Sequence, residues 1–186
     1  GGECVSDRLV AAARELGQIC EGLLEIVRVD VDDDGLLVLT AVTSSGTRWF
    51  TRDESRLIER FPERDPGLPL AAHLRESDNW RVLSYRPGRR MVVRKGGGER
   101  LEVLKGHRNS RSTRAVAKQA FAEEAMRCGA FRVPRLLQHD SEHQALVFEH
   151  LSGTEVELVA ENAPHYARLG ERLAVFQRGG AEGLEL

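Results

Sequence analysis

Residues 80–94 read Trp80-Arg81-Val82-Leu83-Ser84-Tyr85-Arg86-Pro87-Gly88-Arg89-Arg90-Met91-Val92-Val93-Arg94. Trp80–Tyr85 and Arg90–Arg94 have the aromatic and β-branched content of strands, and Arg86-Pro87-Gly88-Arg89 between them is a turn. Going forward, Gly96-Gly97-Gly98 predicts a second hairpin turn and Leu101–Lys105 a third strand. Ser112–Arg127 has helical spacing, with Ser112 or Thr113 as cap and Gly129 as stop. Leu136-Leu137 leads to a turn at Asp140-Ser141, Ala145–Glu149 is a further strand, and Leu151-Ser152-Gly153 ends it. Over residues 80–153 the order is strand, strand, strand, helix, strand, strand. A Rossmann unit alternates strands and helices strictly, so this order predicts an α+β fold: an antiparallel five-stranded sheet with one packed helix. His165–Arg178 then forms an amphipathic helix closed by Gly179-Gly180.

Going backward, Val5–Leu16 is helical with Gly17 as its stop. Leu24, Ile26, Val27, Val29 and Val31, then Leu36–Val42, then Thr47–Thr51 predict a three-stranded meander with Asp-Gly and Ser-Gly turns. Asp53–Phe61 suits a short helix capped by Asp53. Pro62, Pro66 and Pro69 punctuate a linker-like stretch. Three units are expected: an α/β-meander segment over 1–72, a lobe of five strands and one helix over 73–153, and a following helix over 154–186.

Composition narrows the function. Of 186 residues 41% are hydrophobic and 30% charged, enough for a folded core. A net charge of −2 offers no basic field for nucleic acid, and no apolar run reaches bilayer length. Cys4, Cys20 and Cys128 form neither a disulfide framework nor a zinc pattern, which predicts a reducing, cytoplasmic compartment. The chain opens Gly1-Gly2 and stops at Leu186 soon after a helix, so it is expected to be a fragment.

Four motifs in order resemble the aminoglycoside-phosphotransferase family, whose members have a protein-kinase-like fold. Leu83–Arg94 resembles its opening hairpin, and Val103-Leu104-Lys105 its strand with the nucleotide lysine. Phe131-Arg132-Val133-Pro134-Arg135-Leu136-Leu137 resembles the segment after the helix, and Leu146–Gly153 the hinge. Leu169–Phe176 resembles the next helix, with Phe176 where the family often has His. The resemblance covers roughly the second half of the chain. It implies ATP with Mg2+ as cofactors and γ-phosphoryl transfer to a hydroxyl of a small substrate. The H-x-D catalytic loop and the metal-binding motif that this chemistry needs are absent up to Leu186. The fragment is therefore expected to be inactive alone, with its metal ligands and catalytic base lying further on.

The resemblance assigns site residues. Lys105 would meet the α- and β-phosphates, with Glu123 or Glu124 on the helix as its carboxylate partner. Adjacent helix positions point about 100° apart, so one acid at most faces the cleft. Gly88 would let the turn approach the phosphates, and Arg89 or Arg90 would reach their oxygens. The Glu149 carbonyl and the Leu151 N–H would hold adenine, with Phe148 at the back. Asp30–Gly35 imitates the start of a calcium loop, but Ala41 stands where its Glu should be, so a solvated turn is expected. The six histidines lack metal spacing. A non-catalytic binding or scaffold protein is the competing reading, and residues 1–60 as a separate β module with its own partner is a third.

Overall fold

The computed structural model describes residues 5–31, 35–52, 56–76, 78–96, 101–108, 111–125, 132–153 and 159–180. The fold is α+β, with two antiparallel sheets and four α-helices among the described residues. Helix α1 (Val5–Ile19) precedes β1 (Leu23–Val31), β2 (Leu37–Thr43), β3 (Gly46–Arg52) and β4 (Leu57–Arg60), which pair in sequence order. Ala12, Leu16 and Cys20 recur at helical spacing and are buried against Leu37, Leu39, Ala41 and Phe50, which alternation turns to one face of the sheet. The helix runs on through Gly17, its expected stop, because Cys20 beyond it is needed in that core.

The expected helix over Asp53–Phe61 is not formed; its described part contains a strand instead. Leu57–Arg60 pairs antiparallel with β3, so the meander has four strands. Tertiary partners override a weak local preference here. The Arg48 guanidinium takes both oxygens of Glu59 across the strands, and the Leu57 N–H donates to Glu15 of α1 at 2.9 Å. Asp53 lies outside the described residues.

Helix α2 (Leu70–Leu74) follows a single 3-10 turn at Pro62–Arg64. The second sheet contains β5 (Trp80–Arg86), β6 (Arg90–Lys95), β7 (Glu102–His107), β8 (Leu136–Asp140) and β9 (Ala145–Glu149), in the order β5-β6-β7-β9-β8. Leu68, Leu70, Ala71 and Leu74 are buried against Tyr85, Met91, Val93, Leu104 and Ala145 on one face of this sheet. The Pro-rich stretch therefore supplies part of the second core, and the expected division after residue 72 runs through α2. Gly106 makes the seat: a Cβ there would meet Leu70 Cδ2 at 2.7 Å and Leu70 Cβ at 2.9 Å. The Trp80 indole N–H closes α2 by donating to the Leu74 carbonyl at 2.8 Å.

Helix α3 (Arg111–Ala125) touches β7, β8 and β9. Ser112 is no cap; it lies fully buried inside the first turn, its hydroxyl bonded to the Gln144 side chain at 2.8 Å. Gly129 lies outside the described residues. Helix α4 (Ala163–Gly180) leaves Leu169 and Leu173 exposed.

The two sheets meet at the β5–β6 hairpin. Trp49 of β3 stands edge-on to Tyr85, with ring centroids 5.5 Å apart. Arg86 donates to Asp30 of β1 at 3.1 Å. Among the described residues no helix is long and apolar enough to cross a membrane.

Candidate functional site

Alternation along β7 buries Leu104 and Gly106 under α2 and turns Val103, Lys105 and His107 to the opposite face. Lys105 lies inside the strand, opposite Val92 on β6 and Leu146 on β9. Val103 stands opposite Phe148. The β9 strand then runs out of the sheet through Glu149, His150 and Leu151. These residues, with Leu83, Gln119 and Pro134, line a cavity of about 390 Å³ that Lys105 also lines. Thus Lys105 of β7 meets Phe148, Glu149 and Leu151 of the β9 exit at one cavity.

The lysine is half-buried and electrostatically uncomfortable. Its pKa lies below the ordinary lysine value, first through burial and then through the cations Arg90 and Lys118. No carboxylate among the described residues offsets them. Arg90 belongs to the same neighbourhood, and its own affinity for its proton is lowered by burial and by Arg86 and Arg28. His107 beyond Lys105 is held below the usual histidine value by burial, then by Lys105, Arg90 and Arg111.

The helix acids divide. Glu123 is on the sheet-facing side of α3 and Glu124 is exposed. Glu123 does not pair with Lys105; it accepts the Leu136 N–H at 2.9 Å and the Gln119 amide at 3.0 Å. The Leu136 backbone bond, then Gln119, holds its carboxyl below the usual range. Gln119 also donates to the Pro134 carbonyl at 2.8 Å, tying α3 to the chain entering β8. Sequence reading passed over Gln119. Its signal is the stripe Ser112, Val116, Gln119, Glu123, which puts a polar amide on the face that meets the sheet.

Gly88 and Arg89 are not brought to this cavity. They line a second one, on the side of the sheet where Tyr85 is buried, together with residues of the first sheet and the Pro-rich stretch. Asp65 holds the turn there, accepting the Gly88 N–H at 2.6 Å, the Tyr85 hydroxyl at 2.7 Å and the Gly67 N–H at 2.8 Å. Asp30, the first residue of the rejected calcium loop, is occupied by Arg28 at 2.6 Å and Arg86 at 3.1 Å. Among the described residues no three His, Cys, Asp or Glu side chains are grouped as metal ligands. No family model, curated protein or solved structure matches the chain.

Proposed function

We propose that this chain carries the ATP-binding lobe of a cytoplasmic small-molecule phosphotransferase of the aminoglycoside-phosphotransferase type, which moves the γ-phosphoryl of ATP to a hydroxyl. One observation carries the reading: a half-buried ammonium on which, among the described residues, Arg90 and Lys118 are the acting charges shares a cavity with the strand exit 148–151. An amine held that way is stabilised by an anion, and a polyphosphate supplies one. Leu83, Val92, Val103 and Phe148 give the apolar lining that a purine ring needs, and the backbone of Glu149 and Leu151 gives it polar edges. Arg90 adds a second positive charge beside the lysine. Mg2+ would neutralise phosphate charge when bound, but the described residues do not form a site that fits it, so no step is assigned to it.

A second reading, a non-catalytic kinase-like binding protein, is favoured by one contact. Glu123 is spent on the Leu136 backbone rather than on Lys105, so Glu123 does not make the lysine–glutamate pair of an assembled kinase lobe.

The test is Lys105→Ala in the full-length protein, with phosphoryl transfer to hydroxylated small molecules as the readout. We expect a loss of about a hundredfold or more with the circular dichroism spectrum unchanged. Turnover equal to wild type would remove Lys105 from the site. ATP binding without any turnover in the wild type would favour the second reading. The 186-residue chain alone is expected to bind ATP more weakly than the low micromolar range.

A further inference from the structure

The second cavity is larger, about 500 Å³, and shares no lining residue with the one at Lys105. Its charge balance is uneven. Among the described residues, Arg60, Arg64, Arg89 and Arg108 line it against Glu59 and Asp65. Both acids are committed: Glu59 to Arg48 of the neighbouring strand, Asp65 to the Tyr85 hydroxyl and two backbone N–H groups. The Arg108 Nε is shielded from solvent and has no hydrogen-bond partner among the described residues. A buried guanidinium N–H without an acceptor costs free energy that an incoming oxyanion would restore. Arg60 is held in place by its Nε bond to Thr51 at 2.8 Å, and Arg64 lies over the Phe61 ring at 5.5 Å.

We propose that this cavity binds a phosphate monoester, its phosphoryl oxygens held by Arg60 and Arg108 and its organic part lodged among Phe61, Pro66 and Pro87. Guanidinium forks from two separate segments, Arg60 at the end of β4 and Arg108 just after β7, converge on a tetrahedral dianion better than on a flat carboxylate, because they can each engage different oxygens. The volume exceeds what inorganic phosphate fills, and the apolar lining leaves room for an attached group. The site forms only where both sheets and the Pro-rich stretch come together, and it lies across the second sheet from Lys105. It is thus separate from the proposed nucleotide cleft.

The probes are phenyl phosphate and inorganic phosphate, each titrated calorimetrically into the chain against chloride at matched ionic strength. Saturable binding of both is expected, with phenyl phosphate at least about threefold tighter through its ring. The Arg60→Gln/Arg108→Gln double variant should weaken binding by about tenfold or more, and Arg108→Lys, which keeps the charge but loses the fork, by an intermediate factor. Lys105→Ala should leave it unchanged, which separates this site from the nucleotide reading. Absence of saturable binding, no loss in the double variant or in Arg108→Lys, or loss in Lys105→Ala would overturn the proposal. Equal binding of the two probes would overturn the monoester in favour of free phosphate. If the double variant fails to give the wild-type circular dichroism spectrum, Arg108→Lys decides by itself.

Discussion

Lys105 illustrates how a functional residue can weaken the fold that carries it. Its ammonium is half-buried, with Arg90 and Lys118 as the charges acting on it, so replacing it with an apolar chain of similar length should help folding. Lys105→Met is expected to raise stability by up to about 1 kcal/mol in urea titrations while removing nucleotide binding. A loss of stability would mean that the lysine has a native anionic partner. His107 obeys a related rule with a definite sign. Its folded-state pKa is below the ordinary 6.5, so the neutral ring is the one that fits. The stability this contributes is complete above about pH 6.5 and lost as pH falls towards the folded value. His73, lowered by burial and by Lys95, acts in the same direction. In His107→Gln the drop in unfolding free energy between pH 7.5 and 5.5 should shrink, which denaturation at the two pH values would measure. Asp65 is the residue with most to lose. It accepts three hydrogen bonds, and the Tyr85 hydroxyl beside it is pushed far up by burial and by that carboxylate. Asp65→Ala is expected to cost about 2–3 kcal/mol, and Tyr85→Phe about 1 kcal/mol, by chemical denaturation.

At the scale of elements, the contact that sets the second core is α2 on β7. Gly106 lets Leu70 lie against the strand with no room for a methyl group. Gly106→Ala is expected to cost about 1–3 kcal/mol through overpacking, and adding Leu70→Ala should recover part of it, a coupling that a double-mutant cycle measures. Additive losses would show that the methyl group is accommodated elsewhere. The strands of this sheet were legible because turn chemistry and alternation agreed at each of them. The five-stranded antiparallel sheet was expected and is found, but two helices pack on it rather than one, α2 as well as α3. Reading failed at Leu57–Arg60, where four residues of mixed character carry no period of their own. Their strand state comes from β3 and from Glu15 of α1, both distant in sequence. It failed again at the Pro-rich stretch, where proline spacing imitates a linker although Leu68, Leu70 and Leu74 are core residues.

At the scale of the molecule, the two sheets are joined by Trp49 on Tyr85, by Asp30 with Arg86, and by Asp65 under the Gly88 turn. Contacts of this kind couple two cores into one cooperative unit. One calorimetric transition is expected for the chain, and Trp49→Ala combined with Asp30→Ala should split or broaden it. Two transitions in the wild type would show that the cores melt independently.

Sequence by itself determined the succession of strands and helix along residues 80–153, the lysine on the third of these strands and the strand exit at 148–151, because local periodicity and turn residues report on these directly. Only the tertiary structure decided which groups meet. It placed Glu123 on the Leu136 backbone, moved Gly88 and Arg89 to the far side of the sheet, and gathered Arg60, Arg64 and Arg108 around one cavity. The physical reason is that a side chain's partner is set by packing between segments remote in the chain, and neither spacing nor composition encodes that distance.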